Sequence, residues 1–126
     1  MGMYGRAAIT AARMLEKGVP SDPERAWKRA ISLETESSES RKKSCPRGAL
    51  LELCAAGVIL GCKKRQSLLR GSNGEYAVRL LEAIRRDQQL LSDQKSLWHS
   101  ATQNAAIEEN GQIDVVASLW RAGLIQ

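Results

Sequence analysis

The stretch LCAAGVI, residues 53–59, has a counterpart near the end of the chain in LWRAGLI, residues 119–125. The two stretches are identical at four of seven positions, and each places a glycine before two apolar residues. Glycine adopts the left-handed conformation that ends many helices, and an apolar residue just beyond it packs back on the last turn. The repeated stretch therefore predicts two helices that end in the same way.

Other features recur in the same order and indicate an internal duplication. Tyr4 and Tyr76 open two predicted helices, 72 residues apart. A Ser-Asp pair followed by a tryptophan also occurs twice, and its tryptophans, Trp27 and Trp98, are 71 residues apart. Self-similarity at a nearly fixed period is the signature of repeated structural units. We expect the two tryptophans to hold equivalent, mostly buried positions.

Apolar residues follow the i, i+3, i+4, i+7 spacing of amphipathic helices along most of the chain. The apolar stripes lie in residues 4–15, 26–31, 50–54, 76–84, 97–101 and 113–120. No segment alternates at period two for long enough to form a strand. We predict an all-α fold of six helices, arranged as two related three-helix halves in one domain over residues 1–126. The halves are residues 1–62 and 73–126, and residues 63–72 connect them.

Polar stretches and capping side chains predict the helix boundaries. ETESSESRKK, residues 34–43, has no apolar periodicity, and GCKKRQSLLRGSNG, residues 61–74, is rich in glycine and charge, so both are predicted loops. Serine, aspartate and asparagine side chains accept hydrogen bonds from the first turn of a helix. Caps of this kind are predicted at residues 21–22, 44, 73 and 92–93, and at Asn110 or Gln112.

The net charge of +5 is concentrated in one part of the chain. Residues 41–70 contain eight lysines and arginines but one acid, whereas residues 71–126 contain five basic and seven acidic residues. Such a window attracts phosphates or acidic protein surfaces, although it also suits two solvated loops that only maintain solubility. The candidate anion-binding or nucleic-acid-binding residues are Arg41, Lys42, Lys43, Ser44, Arg47, Lys63, Lys64 and Arg65.

The predicted helix start at Ser44 is the most informative point in this window. A helix N-terminus presents unpaired N–H groups that attract anions, and Cys45 in the first turn lies where neighbouring cations favour a thiolate. A nucleophile also needs a base, and nothing in the sequence brings the single histidine, His99, to Cys45. We expect no catalytic residue, cofactor or metal site, and a small enzyme using Cys45 or His99 stays an alternative.

The basic clusters at the two ends of the third predicted helix lie roughly 20 Å apart at 1.5 Å per residue. That separation favours a polymeric partner, such as nucleic acid or another polyanion, over a small anion. The alternative is a protein-interaction or homodimeric helical module. No apolar run approaches the ~20 residues of a membrane span. Three cysteines without Cys-x-x-Cys spacing favour thiols in a reducing cytoplasm, so we expect a cytoplasmic protein and no membrane partner.

Three stretches together resemble a small family of bacterial proteins without an assigned function. They are Ala26-Trp27, SRKKSCPRGALLELCAAGVILG at residues 40–61, and DVVASLWRAGLI at residues 114–125. The resemblance covers nearly the whole chain. It implies a bacterial, cytosolic, single-domain protein, of the kind found in environmental DNA or on a mobile gene cassette. It implies no activity and no site residues.

Overall fold

A computed structural model describes residues 1–62, 72–103 and 107–126, with the side chains of all of these except residues 72–75. The α-helices are α1 (Met3–Lys17), α2 (Pro23–Glu34), α3 (Ser38–Lys42), α4 (Ser44–Ala55), α5 (Ser72–Arg86), α6 (Gln94–Thr102) and α7 (Gln112–Arg121). A 3₁₀ helix, Gln88–Ser92, lies between α5 and α6. Since no strand forms within the described residues, the all-α prediction is confirmed.

The two repeated stretches end α4 and α7 with the same backbone geometry. Gly57 and Gly123 both adopt the left-handed conformation, with φ angles of 75° and 73°. The next residues fold back, and the N–H groups of Val58 and Leu124 donate to carbonyl oxygens five residues earlier, at 3.2 and 3.1 Å. Both helix ends therefore close as the glycine and the following apolar residue predict.

The residues beyond these two glycines pair with each other. Ile59 and Ile125 form an isolated antiparallel bridge. The N–H of Leu60 donates to the carbonyl oxygen of Leu124 at 2.9 Å, and Ile59 is fully buried. The bridge is too short to start a sheet, but it joins the ends of the two matching helices.

Packing between the predicted halves is at least as extensive as packing within either half. α7 packs against α1, and α4 packs against α5, so the third main helix of each half contacts the first helix of the other. The shared core is rich in small side chains, and α1 alone buries Ala7, Ala8, Ala11 and Ala12. Neither half could bury this core by itself.

An aromatic pair links the first two helices of each half. The rings of Tyr4 and Trp27 stack with centroids 6.5 Å apart, and Tyr76 meets Trp98 edge-on at 5.5 Å. Trp27 is buried, and Trp98 packs against the core as a half-buried residue, less deeply than Trp27. The indole N–H of Trp98 donates to the carbonyl oxygen of Ile107 at 2.7 Å. The duplication itself stays a prediction.

A carboxylate from α7 caps the start of α1. Gly2, at the N-cap position, has no side chain to accept a hydrogen bond, so Asp114 accepts from the N–H of Gly2 at 2.9 Å and from that of Gly5 at 2.7 Å. Ser118, one turn further along α7, also donates to Asp114, at 3.3 Å. A Cβ atom on Gly5 would lie 2.1 Å from the Ser118 Oγ, so glycine permits this close approach.

Several predicted boundaries were wrong. The predicted loop at residues 34–43 contains α3, which is capped by Ser37 and buries no side chain, so it leaves no apolar pattern to detect. Ser44 is the first helical residue of α4 and not its cap, since Lys43 occupies that position. α5 includes Asn73. Gly111 is the N-cap of α7, and neither Asn110 nor Gln112 is.

None of the helices in the described part of the chain combines the length and the apolar character that crossing a membrane requires.

Candidate functional site

The basic cluster, defined as Arg41, Lys42, Lys43 and Arg47, lies where α3 meets α4. Lys42, Lys43 and Ser44 are exposed. They face an open surface groove whose lining residues are Glu39, Lys42, Lys43, Ser44, Cys45 and Asn110. The Lys43 ammonium donates to the side-chain oxygen of Asn110 at 3.2 Å, which ties this groove to the segment before α7.

The first turn of α4 receives no side-chain cap. In contrast, Asp22 and Asp93 accept hydrogen bonds from the first turns of α2 and α6. The first turn of α4 also holds no acidic residue, so the positive end of the α4 dipole lies at the groove, where Glu39 of α3 is the acidic residue among the described lining residues. The exposed ammonium groups of Lys42 and Lys43 add two positive charges to this groove against the one negative charge of Glu39.

The two arginines of the basic cluster are held by protein partners. The Arg41 guanidinium donates to the carbonyl oxygens of Thr35 at 2.7 Å and Ser32 at 3.3 Å. Those carbonyls belong to the C-terminal end of α2, which a cation stabilises. Arg47 pairs with Glu24 at 3.3 Å and is half-buried. A ligand would therefore contact Lys42 and Lys43 more readily than the two arginines.

The second group of predicted basic residues, Lys63, Lys64 and Arg65, lies outside the described residues. α4 has 12 residues and is about 18 Å long. That Lys63, Lys64 and Arg65 bind anions together with the basic cluster therefore stays a prediction.

The groups proposed for the alternative enzyme lie on different helices. Cys45 is half-buried in the groove at the start of α4, whereas His99 is exposed on α6 in a separate depression with Lys95 and Ser96. Among the described residues, no three His, Cys, Asp or Glu side chains are grouped so that they could hold a metal ion.

Thiol labelling provides a direct test of the cysteine placement. We expect Cys45 to react with a small alkylating reagent much faster than Cys54 or Cys62, because Cys45 is half-buried and the other two are 0% and 6% exposed. Mass spectrometry of the native protein after timed alkylation measures the three rates. Equal, slow labelling of all three thiols would contradict the placement of Cys45 in an open groove.

The carboxylate of Asp93, next to the His99 depression, stays ionised to a lower pH than an ordinary aspartate does. The Ser96 hydroxyl donates to its carboxylate at 2.7 Å and the Ser96 N–H at 3.1 Å, which keeps the pKa of Asp93 below the ordinary value of 3.8. The stability that these two hydrogen bonds give to the folded state is present above the ordinary aspartate pKa and is lost as the pH falls through the lowered pKa. Asp93 therefore acts as a cap, and this environment does not suit a general acid.

A second cationic surface was missed in the sequence. Arg25, Lys28 and Arg29 are exposed on the outer side of α2, which we name the α2 face. Their i, i+3, i+4 spacing opposite the apolar stripe around Trp27 was the available signal. It was overlooked because Glu24 and Glu34, in the same helix, make the local charge look balanced.

A family model described as a family of unknown function (DUF6979) matches residues 1–126, so the chain belongs to this family. The predicted resemblance to a family without an assigned function is thereby confirmed. No curated protein and no solved structure matches the chain.

Proposed function

We propose that the chain, as a member of that family of unknown function, is a small basic module that binds nucleic acid or another polyanion through residues 41–70. The observation that carries the proposal is the charge of this segment, eight basic residues against one acid. The described part of the segment adds the exposed side chains of Lys42 and Lys43 beside the open groove.

The chemistry of binding would be electrostatic. Lysine ammonium groups neutralise phosphates and release condensed counterions, which gives affinity without reading the sequence of bases. The groove is open and the basic residues lie on both sides of α4 in the sequence, so we expect a polymer to contact more of them at once than a small anion does. Arg41 and Arg47 would support the site mainly by fixing α3 and α4 against α2.

The proposal places this activity in the cytoplasm, away from a membrane. Support comes from the three cysteines, an odd number without Cys-x-x-Cys spacing, which favours a reducing compartment.

Titration of a labelled, mixed-sequence DNA duplex and an RNA of the same length, followed by fluorescence anisotropy, tests the proposal. We expect binding at low salt that weakens steeply between about 50 and 200 mM salt, because each neutralised phosphate adds about −0.9 to the log–log slope on duplex DNA. The variant Lys42→Glu/Lys43→Glu should lose most of this affinity.

The control variant is Arg86→Glu/Lys95→Glu, which makes the same change in net charge at two exposed residues of α5 and α6. It should retain most of the wild-type affinity. Absence of binding at low salt, or an equal loss in both variants, would contradict a site at residues 41–70 and would favour a protein partner.

A further inference from the structure

Both acidic residues of α2 are neutralised by partners elsewhere in the fold. Glu24 pairs with Arg47 of α4 at 3.3 Å, and Glu34 pairs with Arg6 of α1 at 2.6 Å. Because these carboxylates already have cationic partners, they are poorly placed to offset the cations on the outer side of the same helix.

The α2 face therefore carries uncompensated positive charge. Within the described residues, none of Arg25, Lys28 and Arg29 forms an ion pair, and all three are exposed. They line an open groove together with Met14, Ser32 and Leu33. Among the described residues that line this groove none is acidic, in contrast to the α3–α4 groove, which includes Glu39.

We propose that the α2 face contacts the phosphate backbone of a nucleic-acid duplex, an inference that rests on the proposed function and extends its site. Arg25 and Arg29 lie about 6 Å apart along the helix axis at 1.5 Å per residue. Each strand of a duplex presents one phosphate charge for about every 3.4 Å of its axis, so about two phosphates of one strand lie within that distance. The three cations of this face are enough to neutralise them.

The aromatic residues explain why a duplex is favoured over a single strand. Proteins that hold single strands stack the bases on exposed aromatic rings. Here every aromatic residue of the chain is buried or half-buried and packs in or against the core: Tyr4, Trp27, Tyr76, Trp98 and Trp120. Without rings for stacking, affinity must come from phosphates, which the duplex presents more densely.

The α2 face adjoins the basic cluster. Arg41 of α3 donates to the main-chain oxygen of Ser32, which also lines the α2 groove. Lys42 follows directly in sequence and lines the α3–α4 groove. A duplex lying along α2 would thus reach the basic cluster by passing the exposed side chains of Glu36 and Glu39.

The test variant is Arg25→Gln/Lys28→Gln/Arg29→Gln, since glutamine keeps the helix propensity and removes three charges. Its circular dichroism spectrum and thermal unfolding should match those of the wild type, because all three residues are exposed. Its affinity for a mixed-sequence DNA duplex should fall, and its log–log salt slope should be less steep by roughly 2 to 3, at about 0.9 for each phosphate contact removed.

The reference measurements use the wild type and Arg86→Glu/Lys95→Glu, which lowers the net charge further than the test variant does. The wild type should bind the duplex more tightly than either separated strand, and the control should keep the wild-type salt slope. An unchanged slope in the test variant, with wild-type binding intact, would overturn the assignment of the α2 face alone. Equal binding of strand and duplex would overturn the preference for a duplex.

Two further outcomes separate this inference from the proposed function. If the wild type binds no nucleic acid at low salt, the proposed function fails and this inference with it. If the wild type instead binds vesicles containing an anionic lipid, and the glutamine variant does not, the α2 face serves a membrane surface and the duplex assignment is overturned.

Discussion

Trp27→Ala is expected to lower the free energy of unfolding by about 3–5 kcal/mol, the range for removing a large aromatic side chain from a core. The side chain is 2% exposed and stacks on Tyr4, so its removal leaves a cavity where α1 and α2 meet. Its indole nitrogen is buried and has no hydrogen-bond partner among the described residues. We therefore expect the loss to come from packing.

Chemical denaturation followed by circular dichroism measures this effect, and two variants sharpen its interpretation. Trp27→Phe should cost much less, because it keeps most of the ring contact and removes the unpartnered N–H. Trp98→Ala should cost less than Trp27→Ala, since Trp98 is half-buried, although it loses the bond to Ile107. A loss below about 1 kcal/mol for Trp27→Ala would contradict its central place in the core.

Gly5→Ala is expected to destabilise the protein by about 1–3 kcal/mol or more, the usual cost of overfilling a packed site. On an open helix face the same change would raise the free energy of unfolding by up to about 1 kcal/mol. The sign of the measured change therefore distinguishes a crowded site from an open one. The added methyl group would lie 2.1 Å from the Ser118 Oγ and 2.6 Å from an oxygen of Asp114. It would push apart α1 and the residue that caps it.

A double-mutant cycle with Ser118→Ala identifies the source of the effect. Removing the hydroxyl relieves the shortest contact, so Gly5→Ala should cost less in the Ser118→Ala background than in the wild type. Part of the cost should remain, because Asp114 still lies too close to the new methyl group. Equal costs in both backgrounds would exclude Ser118 as the obstacle, and a stabilising Gly5→Ala would rule out the close approach of α1 to α7.

The sequence could predict features that depend on local pattern. Apolar periodicity located the long helices, and the glycines at 57 and 123 identified two helix ends because the left-handed conformation depends on a few neighbouring residues. The Asp22 cap followed from the same short-range chemistry. These signals need no knowledge of the rest of the fold.

Features that depend on distant residues could not be predicted in this way. Asp114 caps a helix that begins more than 100 residues earlier, and no local sequence pattern predicts that contact. The hydrogen bonds of Arg41 to the end of α2 could not be predicted for the same reason, because they depend on where α3 lies. The α2 face was missed because Glu24 and Glu34 find partners on other helices.

The contacts of α7 have a consequence for how the chain is made. Asp114 completes the first helix, and Ile125 pairs with Ile59, so α1 and the end of α4 depend on segments that are synthesised later. While the ribosome is still extending the chain, α1 lacks its cap and α4 lacks its neighbour α7. We therefore expect the whole domain to fold only after α7 has left the ribosome, and the apolar surfaces of α1 and α4 that pack against α7 to be uncovered until then.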